Sequence, residues 1–135
     1  MTPKAIVEKM MQGDHFSQWL GIEVLGIQKG YCLLQMTVKP DMVNGFSIAH
    51  GGISYSLADS ALAFASNSYG FHAVSIETSV SHTRPVNISD VLTAECTELN
   101  RGKTIGIYQV KVVNQSKKTV ALFKGTVHIS SREWE

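Results

Sequence analysis

The run from Gly52 to Tyr69 contains no proline, no glycine after its first residue and one formal charge, Asp59. That composition predicts a helix of about four to five turns at ~3.6 residues per turn. A helix with so little polar surface has no face to give to water. It is therefore expected to lie buried nearly all round, inside a layer that encloses it. A sheet wrapped around it would supply that layer.

The rest of the chain supplies strands. Apolar residues from Ile6 to Trp19 recur at roughly helical spacing, with Gly13 interrupting or ending a turn. From Ile22 onward the runs turn β-rich, and Tyr31 to Val38 alternates, with Cys32, Leu34, Met36 and Val38 on one face. After Gly70 come four β-type segments, Val74–Thr83, Val91–Leu99, Thr104–Val113 and Thr119–Ile129. Arg84-Pro85-Val86-Asn87, Asn100-Arg101-Gly102-Lys103 and Asn114-Gln115-Ser116-Lys117-Lys118 separate them, and each is short enough for a hairpin. Helix, two strands, long helix and four strands make an α+β layer arrangement, mostly antiparallel.

Bulk properties exclude several function classes. A length of 135 residues with 44% hydrophobic content fits a single domain, 1–135, with a sizeable core. The net charge is +1 and the basic residues are scattered, so neither a nucleic-acid footprint nor a polybasic membrane patch is expected. No run approaches the ~20 apolar residues of a membrane span. The first residues carry Lys4, Glu8 and Lys9 without the apolar stretch of a signal peptide, so the expected compartment is the cytoplasm. Cys32 and Cys96 stand singly in apolar segments and read as buried free thiols. His15, His72, His82 and His128 share no ligand spacing and are taken as ordinary residues, with no metal site expected.

Asp59 is the residue that demands an explanation. A carboxylate in a low-dielectric site costs several kcal/mol unless charge or hydrogen bonds compensate it. Just upstream, Gly51-Gly52 opens the same helix, where the first N–H groups are free to bind an anion or a polarised carbonyl. At ~1.5 Å rise per residue, Asp59 stands on the order of 11 Å from that start, too far for both to act on one small group. If both do act on it, one comes from a second subunit whose helix runs alongside in the opposite direction, and a two-fold dimer would hold two such sites.

The spacing Asn44, then His50-Gly51-Gly52, then Asp59, with an apolar helix and an Arg84-Pro85 turn into further strands, resembles the hotdog-fold acyl-CoA thioesterases, in particular the PaaI-type branch. The similarity runs from about Tyr31 to Ile129 and includes Leu57-Ala58-Asp59, Ser66-Asn67-Ser68 and the segment Thr119 to Gly125. It implies an antiparallel sheet wrapped around a long central helix, and hydrolysis of an aromatic (phenylacetyl-type) or medium-chain acyl-CoA. Asp59 falls on the family's acid, acting as general base or as nucleophile. Gly51 falls on the residue whose N–H polarises the thioester carbonyl, and Asn44 on the side chain that orients water or carbonyl. Ser75 matches a strand hydroxyl that positions substrate in some relatives. Where some relatives hold the acid with a hydroxyl one turn further on, this chain has Ala63.

His50 and Gly52, at the helix mouth, are expected to support the loop or line the substrate entry. Arg84 and the Arg101-Gly102-Lys103-Thr104 turn are candidates for the phosphates of coenzyme A, the latter resembling a coenzyme A-contacting turn, although such turns are also basic for solubility alone. The acyl group is expected in a slot beside the helix, lined by Phe46, Tyr55 and Leu62. Coenzyme A is part of the substrate and no cofactor is expected. The minimal active unit is expected to be a homodimer, paired into a homotetramer. Two other readings fit the same architecture: a 3-hydroxyacyl-thioester dehydratase or hydratase, and a non-catalytic acyl-CoA-binding module.

Overall fold

In the computed structural model, which describes residues 1–135, the helical and alternating patterns separate into two layers. Helix α1 (Pro3–Gly13) starts on the Thr2 hydroxyl, which accepts from Ala5 N–H, with Pro3 at a position where a missing N–H is harmless. It ends at Gly13, as the interruption implied. Asp14 then caps α2 (His15–Leu20) by accepting from Ser17 N–H at 2.9 Å. Strands β1 (Glu23–Gln28), β2 (Tyr31–Thr37), β3 (Phe71–His82), β4 (Val91–Arg101), β5 (Ile105–Val113) and β6 (Thr119–Glu133) form one sheet of order β1-β2-β4-β5-β6-β3, with every pairing antiparallel.

The β2 alternation is realised: Cys32, Leu34 and Met36 point to the core, and Val38 follows them. Cys32 and Cys96 face each other across β2 and β4 as free thiols. Burial raises both thiol pKa values, that of Cys32 to about 12, so neither presents a thiolate near neutral pH.

One connection differs from expectation. Arg84 to Asn87 makes no hairpin, because β3 pairs with β6 at the sheet edge while β4 lies between β2 and β5. The segment is a crossover, which the turn composition alone does not distinguish from a hairpin. Two contacts fix its path: Ala49 N–H donates to Val86 C=O at 2.8 Å, and Val86 is buried. The loop that precedes the long helix is thereby fastened to the far end of β3.

That helix, α3 (Gly51–Asn67), packs against β2 to β6. Ala58, Ala61 and Ala65 let its axis approach the sheet, while Leu57, Leu62 and Phe64 fill the space between. Beneath it Gly125 has no side chain because a Cβ there would overlap Leu62. Truncating such a buried leucine to alanine costs about 2–5 kcal/mol.

The expectation of a helix buried nearly all round holds except along one strip. Tyr55 with Ser56, then Asp59, then Ala63, on successive turns, form a partly exposed stripe. The sheet covers one side, and α2 reaches another through a 2.8 Å contact between Ser17 Oγ and Ser60 Oγ. Nothing in the chain covers the rest. Edge strand β3 also leaves Val74 and Ile76 at 65% and 59% exposure.

Candidate functional site

Two clefts lie along α3, and they share no lining residue. The first, about 350 Å³, surrounds the helix mouth and is lined by Asn44, His50, Gly51, Ser54, His82 and Arg84 among others. Its architecture is a closed loop: Val43 bridges Ala49, Asn44 N–H donates to Ile48 C=O at 2.8 Å, and His50 N–H donates to Met42 C=O at 2.8 Å. Asn44 Oδ1 is occupied by Phe46 N–H at 2.9 Å, an Asx turn.

His50 is the N-cap of α3. Its Nδ1 accepts from Gly52 N–H at 2.8 Å, and its C=O accepts from Ile53 N–H at 2.9 Å. The Gly52 amide is thus consumed, whereas Gly51 N–H has no partner within the chain. A free amide at the first position of a 17-residue helix carries the positive end of the helix dipole. Behind it stands His82, whose Nε2 would lie 3.1 Å from a Cβ placed on Gly51 and whose Nδ1 is 3.3 Å from Ser54 Oγ.

The second cleft, about 400 Å³, contains Asp59, Leu62, Ala63, Ser75, His72 and Trp134. Desolvation by burial, and then the Asp14 carboxylate, raise the Asp59 pKa above the ordinary carboxylate value. No hydrogen bond enters that balance, so nothing within the chain takes the place of the hydroxyl absent at Ala63. The acid is held by its backbone and by packing alone.

The structure brings Asn44, His50, Gly51 and Arg84 together in one cleft, and Asp59 and Ser75 in the other. Gly102, Lys103 and Thr104 form the β4–β5 turn and line neither. At the foot of that turn, Arg101 lies over the Tyr69 ring at 3.9 Å with its Nε buried and unpartnered. Of the three residues expected around the acyl slot, Leu62 lines the Asp59 cleft. Tyr55 instead bonds Thr78 Oγ1 through its hydroxyl, and Phe46 projects at 85% exposure. The sequence takes His82 for an ordinary residue and gives no sign of Trp134. Neither carries a spacing signal: His82 ends β3, Trp134 lies one residue beyond β6, and only the pairing of those two strands brings each to its cleft.

The thioesterase superfamily model matches residues 46–121, from the helix-mouth loop to β6. The chain belongs to the thioesterase superfamily. It is 40% identical over 119 residues to the acyl-coenzyme A thioesterase PaaI of Escherichia coli, a match covering 88% of this chain and 85% of that one. The solved structure of the E. coli PaaI protein from the phenylacetic acid degradation operon superposes with a TM-score of 0.94 at 37% identity, over 97% and 95% of the two chains. A Streptococcus mutans protein solved bound to acetyl CoA gives a TM-score of 0.81 at 26% identity, over 84% and 91%. The hotdog arrangement implied by the residues is therefore the fold, and the chain is an enzyme homologous to PaaI.

Chemically, one cleft offers a fixed N–H donor and the other a partly desolvated carboxylate. Acyl transfer to water calls for both kinds of group, a donor where negative charge develops and a base or nucleophile. No helix is long and apolar enough to cross a membrane.

Proposed function

We propose that the protein hydrolyses acyl-CoA thioesters carrying an aromatic or medium-chain acyl group, at sites completed across a two-fold dimer. The observation that carries this reading is the division of labour along α3: the free Gly51 amide opens into one cleft and the Asp59 carboxylate into the other. A two-fold axis across the partly exposed stripe would run two α3 helices side by side in opposite directions, setting each acid opposite the other chain's amide. The exposed Val74 and Ile76 on edge strand β3 give the same face an apolar border. Coenzyme A arrives and leaves as part of the substrate, and the scheme needs no metal or further cofactor.

In this scheme the thioester carbonyl oxygen accepts from Gly51 N–H of the partner subunit. Asp59 takes a proton from water as it attacks the carbonyl carbon, or itself attacks to form a mixed anhydride that water then opens. Either route leads through an oxyanion at the amide, expels the coenzyme A sulfur as the thiol and leaves the carboxylic acid. Asn44, whose Oδ1 is held in its turn, keeps its Nδ2 to orient water or carbonyl. Arg84 at the helix mouth, with the Gly102-Lys103-Thr104 turn, meets the phosphates, and Ser75 and Gly52 flank the acyl path. The homology to an acyl-CoA thioesterase supports the reaction class, and the likeness to a protein solved with acetyl CoA supports the ligand class.

The test is subunit complementation. Gly51→Pro deletes the N–H at a position whose backbone admits proline, since His50 precedes it at φ −58° and ψ 138°, although its Cβ presses on His82. Asp59→Asn and Gly51→Pro chains are each expected to release almost no thiol from phenylacetyl-CoA. Random one-to-one pairing makes half the dimers mixed, each with one intact site of two, so the mixture recovers about a quarter of wild-type activity. No recovery would mean that acid and amide act within one chain. Water addition to an enoyl thioester without thiol release would establish the hydratase reading, and tight acyl-CoA binding without either reaction the binding module.

A further inference from the structure

We propose that Trp134 is the residue that selects the acyl group, forming with His72 an aromatic wall at one end of the Asp59 cleft. The proposal rests on the hydrolase reading, in which the acyl chain occupies that cleft. Both rings line it, stacked with centroids 4.0 Å apart and planes 13° from parallel. Apart from Asp59, the rest of the wall is mostly apolar, Met10, Leu62, Ala63, Ala73, Val74 and Val127, with two serines and the Asn67 amide between them.

What distinguishes Trp134 from an incidental surface aromatic is the way it is held. Its indole Nε1 donates to Asn67 Oδ1 at 2.9 Å. Asn67 lies at the end of α3 and is 2% exposed. The same Oδ1 accepts from Ala73 N–H at 3.0 Å, while Nδ2 donates to Ala63 C=O at 2.8 Å and Ala73 C=O at 2.9 Å. All four hydrogen-bonding positions of a buried amide are used, and one is spent on the indole. The backbone around it is tied as well: Trp134 N–H donates to Gly70 C=O at 2.9 Å, and Lys9 of α1 reaches the main-chain oxygen of Glu135.

A rigid, hydrogen-bonded indole stacked on an imidazole is a preorganised apolar surface with a π face. It favours a flat acyl group that covers it over a short aliphatic one that leaves it wet. The ring belongs to the substrate's wall and touches none of the reacting atoms, so its effect falls on binding of the acyl end.

Two readouts test this. In the first, Trp134→Ala lowers kcat/KM for phenylacetyl-CoA about tenfold or more, chiefly through KM, and leaves butanoyl-CoA within about twofold, while Trp134→Phe restores most of the loss. Equal losses for both thioesters overturn the proposal. The second needs no turnover. The chain has two tryptophans, and Trp19 is a half-exposed residue stacked on Phe16 away from this cleft. In a Trp19→Phe, Asp59→Asn protein the emission is that of Trp134 alone, and phenylacetyl-CoA is expected to shift it saturably to the blue, with butanoyl-CoA producing at most a small change. An emission that responds alike to both, or to neither, overturns the proposal. Should the wild type release thiol from neither thioester, the hydrolase reading falls and the emission titration alone decides the role of Trp134.

Discussion

The two ends of α3 make their sites from different materials. At the helix mouth the reactive group is a backbone amide, left free because His50 spends its Nδ1 on Gly52 and nothing reaches Gly51. Further along the helix, the reactive group is a side chain, Asp59, in a wall built from buried apolar groups and a saturated Asn67. The first cleft is a donor awaiting negative charge. The second is a carboxylate without a donor, whose pKa is raised by burial and then by the Asp14 charge. Each lacks what the other has, and the proposed two-fold dimer is the arrangement that would bring them together.

The sharpest way to break that comparison is to remove the charge from the second cleft. Asp59→Asn is expected to lower kcat by ~10²–10⁴, the range of a general base, with little change in KM. A residual rate near wild type would move the base elsewhere, and His82 would be the first place to look. At the mouth, Gly51→Pro is expected to lower kcat by ~10²–10³, as for loss of one oxyanion donor. Gly51→Ala separates donor from space. It keeps the N–H but sets a Cβ 3.1 Å from His82 Nε2, so the ring must yield a few tenths of an ångström. Proline well below alanine in rate assigns the effect to the amide. Equal losses would assign it to displacement of His82.

The asymmetry also explains what could be read in advance. α3 and β2 were legible because their patterns are local: an unbroken apolar helical run in one case and period-two alternation in the other. The placing of Asp59 and Gly51 on one helix was legible for the same reason, and the structure sets them in separate clefts along it. The role of Arg84 to Asn87 was not, since a short polar turn reads the same whether it joins neighbouring strands or crosses over them. Trp134 was hidden for a related reason. Its partner Asn67 lies 67 positions away, and only the pairing of β3 with β6 brings the two together. The open stripe on α3 was missed because hydropathy counts Ala63, Ser56 and Tyr55 as ordinary for a buried helix, and composition cannot say which side the sheet leaves bare.

Stability gives a third contrast, smaller and of opposite sign to activity. A carboxyl whose folded pKa is raised binds its proton more tightly in the folded protein. Ionising it therefore weakens the fold as the pH rises from the unfolded value, about 3.9, towards the folded one. Asp59→Asn removes that penalty. It is expected to melt a few degrees above wild type at pH 7, with the difference vanishing well below pH 4. A variant less stable than wild type at pH 7 would mean that the carboxylate finds compensating donors in the assembled protein.

The smallest effect is the most selective. Asp14 is the second cause of the raised Asp59 pKa, and it acts through space while serving as the N-cap of α2. Asparagine caps a helix about as well as aspartate, so Asp14→Asn keeps the bond from Ser17 N–H and removes the charge, while the amide Nδ2, where the carboxylate accepted from Ser17 Oγ at 2.6 Å, donates to that hydroxyl instead. The Asp59 pKa should then fall, and the acid limb of the kcat/KM profile should move to lower pH. The displacement is expected to shrink with added salt, as a Coulombic effect between partly solvated groups does. Desolvation, the larger cause, remains in the variant, so the limb stays above the ordinary carboxylate range. A limb that does not move when Asp14 loses its charge would show that the acid governing turnover is a different group from Asp59.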